Sequence, residues 1–267
     1  MEKLTMLDYV KETPGVLRKN IEQYETLLEP LMKEVQGKEI KRILLVASGS
    51  SHNACYCARS FVEKVSGLEV RIITPYTFTY YENDIRETDL VLVVTQSGLS
   101  TNAIEALKII KKKQYRAICL TGNKNSDVKD YADAVIEYGV GEELVGYVTK
   151  GVSTLALFLD LFAVVYSGKV EYLEELRKAA DLNEEMIDKA TDFIQLHYKN
   201  LSSMSWVYSC GAGSNYGTAL ESALKMGETI HIPSCCYEIE EYIHGPNLQL
   251  TPKYNVIFFD GNDVASH

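Results

Sequence analysis

The 267-residue sequence predicts an α/β fold of tandem doubly wound parallel-sheet units, each a flavodoxin-like three-layer α/β/α sandwich, with the second unit incomplete. Three observations lead there. Short apolar runs rich in β-branched residues alternate with helical or turn-rich stretches. The succession of strand, small-residue turn and helix occurs twice, at Ile43–Phe61 and again from Trp206 to Glu228. The composition, 46% hydrophobic and 24% charged, is that of a globular protein, and the length allows two such units.

The first stretch, Thr5–Val35, is helical in pattern, with Pro14 and Pro30 marking breaks and Gly37 a stop, so residues 1–37 read as an N-terminal helical arm. Arg42–Ala47 is a continuous apolar run, as expected of a strand buried on both faces of a parallel sheet, and Ser48-Gly49-Ser50-Ser51 follows it directly. Val70–Thr74, Leu90–Thr95, Ala117–Thr121 and Ala134–Glu137 complete a first unit spanning 38–169. Residues 170–200 lie in a charged stretch, Lys169–Asn200, with Leu173, Leu176, Ala180, Met186 and Ile187 at helical spacing, and are expected to form a connecting helix or helix pair. Beyond it, Trp206–Cys210 reads as a strand, Gly211–Asn215 as a turn and Ala219–Glu228 as a helix, opening a second unit over 201–267.

Charge and cysteine usage exclude several functions. A net charge of −10 and a pI near 5.1 leave no basic stripe for nucleic acid, although one phosphate can still be held locally by backbone N–H groups at a helix N-terminus. The six cysteines form no C-x-x-C pair and have no histidine at zinc-ligand spacing, which points to a reducing, cytoplasmic setting without a metal centre. The longest apolar run, Leu155–Tyr166, contains Asp160 and is too short for a bilayer, so no membrane partner is expected.

The chemistry is expected at two hydroxyl-rich turns. Ser48–Ser51 and Thr95-Gln96-Ser97-Gly98-Leu99-Ser100-Thr101 each follow a strand and open a helix, on the side of the sheet where α/β folds bind ligands. Either turn alone also suits close packing of helix on sheet; together they can grip one phosphate from two sides.

On these residues the chain resembles the SIS (sugar isomerase) family. Ala47-Ser-Gly-Ser-Ser-His-Asn-Ala54 and Thr95–Ser100 look like its two phosphate-binding loops. Met6–Pro14, Glu143 with Thr149-Lys150, Ala219–Lys225, Glu228 and Glu241-Tyr-Ile-His244-Gly-Pro246 are similar to the isomerase halves of glucosamine-6-phosphate synthases and to fructosamine-6-phosphate deglycases. The resemblance implies phosphosugar binding by Gly49, Ser50, Ser51, Thr95, Gln96, Ser97, Ser100 and Lys150, with no cofactor. It implies that Glu228 is the base moving a proton between C1 and C2, and that His244 assists ring opening from a neighbouring subunit of a homodimer or higher homo-oligomer. A carboxylate with a raised pKa in a partly buried, apolar setting suits that base. Leu99 stands where the family often has Glu, Ser48 where Cys is common, and Glu240 where a Gly precedes the Glu of its pattern. The C-terminal segment that brings a lysine into the synthase site has no counterpart before His267, so an incomplete second unit and an active site short of that lysine are expected.

The expected function is therefore that of an aldose–ketose isomerase or deglycase acting on an amino-sugar or fructosamine 6-phosphate. The chain enters the arm directly from Met1-Glu2-Lys3, so amide transfer from glutamine by an N-terminal nucleophilic cysteine is not expected. A non-catalytic sugar-phosphate sensor is the alternative, and retention of both Glu228 and His244 favours the enzyme. Gly211-x-Gly213-x-x-x-Gly217 hints at dinucleotide binding, but His231–Cys235 offers no acidic ribose ligand.

Overall fold

The structure, a computed structural model, describes residues 4–261; residues 1–3 of the arm and 262–267 of the second unit lie outside the described residues. The arm forms two helices, α1 (Met6–Glu22) and α2 (Tyr24–Val35), and α1 starts at a capping box in which Thr5 and Asp8 bond each other reciprocally. Pro14 and Pro30 do not break the arm, as expected from sequence; both lie inside helices, and the break falls at Gln23, with φ −106°. A proline removes one backbone bond, and here burial offsets the loss: Pro14 lies on a packed face with Tyr9, Thr13, Leu17 and Ile21. Gly37 follows α2 with φ +72°.

The chain continues through β1 (Arg42–Ala47), α3 (Gly49–Ser66), β2 (Glu69–Ile73), α4 (Pro75–Tyr80), β3 (Asp89–Thr95), α5 (Thr101–Lys112), β4 (Ile118–Thr121), β5 (Ala134–Glu137) and α6 (Lys150–Ser167). The five strands pair in the order β2-β1-β3-β4-β5, all parallel. Successive side chains of the central strands alternate between the two faces. Leu45, Leu92 and Val94 pack with α3 and α6, around Ala58, Phe158 and Phe162. Leu44, Val46, Val91 and Val93 pack on the opposite side with Phe78 of α4 and Leu107 and Ile110 of α5. Because β1 feeds α3 on one face and β3 feeds α5 on the other, a crevice opens between the carboxyl ends of these neighbouring strands.

The expected connection is a single helix, α7 (Tyr172–Ser202), of 31 residues. Leu173, Leu176 and Ala180 bury its first turns, whereas Leu182, Met186 and Phe193 are exposed. It leads to β6 (Trp206–Gly211), α8 (Ser214–Lys225), a π turn at Met226–Ile230, β7 (Ser234–Glu238), α9 (Ile239–Ile243) and β8 (Tyr254–Phe259). These strands form a second parallel sheet, β7-β6-β8, three-stranded among the described residues. Helix α6 is long and apolar enough by length and composition to cross a membrane, beyond what the run Leu155–Tyr166 indicated, but 61% of it is buried inside the fold. All six cysteines are free thiols.

A buried ion pair and a buried carboxyl group set limits on stability. At the amino edge of the sheet, opposite the crevice, Arg42 and Asp89 form a bidentate pair at 3.0 and 2.6 Å with side chains 4% and 0% exposed, and Asp89 also accepts the Arg86 N–H. Asp89→Ala should therefore destabilise by about 3–5 kcal/mol in denaturant titration, because it strands a buried guanidinium; a loss below about 1 kcal/mol would show the pair to be dispensable. On α6, Oδ1 of Asp160 is buried without a hydrogen-bond partner, and desolvation raises its pKa well above the ordinary carboxylate range. A raised folded pKa means the native state binds more protons than the unfolded chain, so stability falls as pH rises above the unfolded value near 4. Asp160→Asn, neutral at every pH, should be more stable than the parent at pH 7 and equal to it below about pH 4 in thermal melts.

Candidate functional site

The crevice holds a cleft of about 790 Å³ lined by both hydroxyl-rich turns, by the loop after β5, and by Leu224, Lys225 and Glu228 from the second unit. Register explains how the turns meet: Ala47 pairs with Val94, so the loops leaving β1 and β3 are neighbours. In the first, Gly49 takes φ +57°, a left-handed conformation that favours glycine. Ser48 N-caps α3 without a side-chain bond, leaving the first N–H groups of an 18-residue helix without an intrahelical acceptor and aimed at the cleft. In the second, Gly98 at φ +66° sits where a Cβ would be 1.7 Å from Ser126 Oγ, so the turn closes only around glycine.

The site residues expected from sequence separate into two groups. Gly49, Ser50, Ser51, Thr95, Gln96, Ser97 and Glu228 all line the cleft. Ser100, Lys150 and His244 do not line it. Ser100 caps α5, accepting the Ala103 N–H at 3.4 Å. Lys150, 4% exposed, turns to the N-terminal arm and bonds Glu12 at 2.8 Å, with its ammonium 5.0 Å from the centre of the Tyr9 ring. His244 ends α9 in solvent, 67% exposed, with Nε2 2.9 Å from Glu240.

Two expected phosphate ligands have other partners. Ser50 Oγ donates to Glu221 at 2.9 Å and accepts from Lys225 Nζ at 3.1 Å. The Gln96 amide is held at both ends: Nε2 donates to Glu143 at 3.1 Å and Oε1 accepts from Tyr138 at 3.1 Å. What these two residues can offer an anion is backbone N–H, leaving Ser48, Ser51, Thr95 and Ser97 as the hydroxyl residues at the cleft.

Glu228 belongs to the π turn that ends α8, a widened turn of the kind often found at functional sites. It is not the isolated carboxylate in an apolar stretch that the sequence suggested. Lys225 Nζ donates to its Oε2 at 2.6 Å and lies 3.3 Å from Glu221. The other carboxylate oxygen of Glu228 has no hydrogen-bond partner among the described residues and is left to act on a ligand. Glu221 also accepts from Asn53 of α3 at 2.8 Å, so α8 is tied to α3 and the hydroxyl-rich turn before it through one carboxylate. Sequence reasoning gave no role to Glu221 or Lys225; their i, i+4 spacing, continued to Glu228 at i+3, is the signal that places all three on one face of α8.

Among the described residues no group of three or more His, Cys, Asp or Glu could hold a metal ion. Two of the glycines of 211–217 serve packing: a Cβ at Gly217 of α8 would lie 2.4 Å from the Cys57 backbone nitrogen of α3, and one at Gly211 would lie 2.2 Å from the Asn215 carbonyl oxygen, whereas Gly213 at φ +56° faces open space.

Among known proteins, the family described as SIS domain matches residues 38–165. A glutamine–fructose-6-phosphate aminotransferase (isomerizing) of Caldanaerobacter subterraneus is 29% identical over 217 residues, covering 78% of this chain and 36% of that protein. A Clostridium difficile 630 protein described as a phosphosugar isomerase superposes with a TM-score of 0.88 at 26% identity, over 98% of this chain and 77% of its own. The C-terminal domain of the glucosamine-fructose-6-phosphate aminotransferase of Francisella tularensis has the same fold, with a TM-score of 0.80 at 22% identity over 98% and 77%. The chain spans about 36–45% of the length of the curated relatives it matches.

The geometry predicts anion binding at the two turns. Inorganic phosphate should raise the melting temperature of the parent, because a ligand that binds only the native state stabilises it. The double variant Ser51→Ala, Ser97→Ala should lose most of that shift, and a shift of parental size would remove these hydroxyls from the site.

Proposed function

We propose, from the match of residues 38–165 to the SIS domain, that the chain binds a hexose 6-phosphate and acts as an aldose–ketose isomerase or deglycase on an amino-sugar or fructosamine 6-phosphate. The observation that carries this reading is the meeting, in one cleft, of two phosphate-type loops from the first unit with the Lys225–Glu228 pair from the second. A dianion gripped at one end leaves the sugar carbons to lie toward the pair. The units concerned are 38–169 and 201–267, joined by 170–200.

Each residue then has a task. The α3 N-terminus, Gly49, Ser51, Thr95 and Ser97 hold phosphate, while Ser50 and Gln96 fix the loops in place. Glu228, tethered through Oε2, uses Oε1 to carry a proton between C1 and C2 of the open-chain sugar. Lys225 is the one cationic side chain lining the cleft among the described residues, and it stabilises the negative charge that develops on the adjacent oxygen as that proton leaves. His244 stands outside the cleft of its own chain, and ring opening is assigned to the His244 of a second copy in a homodimer or higher homo-oligomer. Free thiols suit a cytoplasmic setting. A binding-only sensor is the second reading, and the position of His244 is what favours it.

Deuterium exchange separates the two. Parent protein incubated in D₂O with fructose 6-phosphate, and separately with a fructosamine 6-phosphate, should introduce deuterium at the carbon from which Glu228 removes a proton. Glu228→Gln should slow exchange by about a hundredfold or more while phosphate still shifts the melting temperature. Exchange at the parental rate in that variant would remove Glu228 as the base; binding without exchange by the parent would establish the sensor.

A further inference from the structure

One wall of the cleft is the loop 139–149 after β5, which contributes Val140 to Gly146 and Val148 to the lining. It has glycines with φ +82° and +67° at 139 and 141, a third glycine at 146, and a largely exposed Leu144. Beyond Val140, which is buried in the core, such a segment has little packing of its own to fix it. A short set of polar ties does the rest, and half of them lead to the N-terminal arm.

At the start of the loop, Asn20 Nδ2 of α1 donates to the Gly139 carbonyl at 3.2 Å, and a Cβ at Gly139 would lie 2.6 Å from the same amide. In the middle, the Tyr9 hydroxyl of α1 accepts the Leu144 N–H at 2.9 Å. Just past the end, Glu12 of α1 takes the Lys150 ammonium at 2.8 Å. Tyr9 is 1% exposed, Asn20 6% and Lys150 4%, so one partner of each bond is out of water, where leaving it unmade is costly, while Glu12 and Leu144 are themselves exposed. Tyr9, Glu12 and Asn20 can share one side of α1, because their spacings of three and eleven residues both close nearly whole helical turns. Within the loop, Glu143 is the hub: its carboxylate accepts from Thr149 N at 2.8 Å, Gly151 N at 3.3 Å and Gln96 Nε2 at 3.1 Å. Glu143 thus ties the loop to the second turn by bonds that do not involve α1.

We propose that α1 is a working part of the sugar-phosphate site: Tyr9 and Asn20 are positioning residues that hold the 139–149 wall against the sugar, while Glu143 separately anchors that wall to Gln96. The proposal rests on the phosphosugar reading above and extends it to the Met6–Pro14 segment, to which that reading gives no task. The phosphate end of the ligand is held by loops that α1 does not touch in this way. Loss of a tie should therefore weaken binding of the sugar and spare binding of phosphate alone.

The test uses the full chain and two variants, Tyr9→Phe, which keeps the ring beside Lys150 but loses the hydroxyl, and Asn20→Ala. Calorimetry with glucose 6-phosphate and, separately, inorganic phosphate is combined with amide hydrogen exchange. Each variant should bind the hexose phosphate about three- to tenfold more weakly, as expected for one lost hydrogen bond, and bind inorganic phosphate within twofold of the parent. Exchange of the Leu144 amide should accelerate in Tyr9→Phe. A purely structural role for α1 would weaken both ligands together with the melting temperature, and that result would overturn the proposal, as would parental affinity and exchange in both variants. If the parent binds phosphate but no hexose 6-phosphate, the phosphosugar reading itself fails and the role given to α1 falls with it. Should Tyr9→Phe not fold, the same measurements on Asn20→Ala decide the matter.

Discussion

The site depends on how closely α8 approaches α3. Gly217 lets the backbones come together where any side chain would strike Cys57 or Asn53, and at that crossing Glu221 receives both Ser50 and Asn53. The carboxylate is thus shared between the helix that follows the first hydroxyl-rich turn and the helix that leads to Lys225 and Glu228. Were the two helices a few ångströms further apart, the turns would keep their own shape, but Lys225 and Glu228 would stand off from them. Small-residue packing and a buried polar bridge act together here: the first permits the approach and the second fixes its register.

Much of this was legible in the sequence, for reasons that differ by element. The inner strands β1 and β3 of the first sheet are buried on both faces, so Arg42–Ala47 and Asp89–Thr95 announce themselves as apolar runs, and the small-residue turns after them are written in consecutive residues. Bonds between distant residues leave no such local mark. That Ser50 faces Glu221, 171 positions away, follows from the crossing of the two units and from nothing near Ser50. Lys150 read as a ligand because it lies beside Thr149 in a family-like segment; the arm, which packs back over it from 138 positions earlier, supplies Glu12 instead.

The arm shows the same limit from the other side. Proline is a sound local signal for a helix end, yet Pro14 and Pro30 are both accommodated within helices. One missing backbone bond is a small loss beside the packing of a helix face that includes Tyr9, Leu17 and Ile21, so tertiary burial overrides local preference. The helix changes direction at Gln23 instead, a residue with no breaking tendency of its own, because two cylinders must leave α1 against α6 and α7 and α2 against α6.

The π turn at Met226–Ile230 has a bearing on how such a site diversifies. In an α-helix each residue turns the side-chain direction by about 100°, whereas a π turn holds one residue more than the regular spiral would. The aim of the carboxylate at 228 is therefore encoded partly as chain length. A single-residue deletion within this turn would restore regular winding and reorient the residues beyond it without replacing any of the cleft's hydroxyls. Insertions and deletions here could in this way re-aim the residue at 228 while leaving the two turns unchanged, a route that comparison of aligned side chains would overlook.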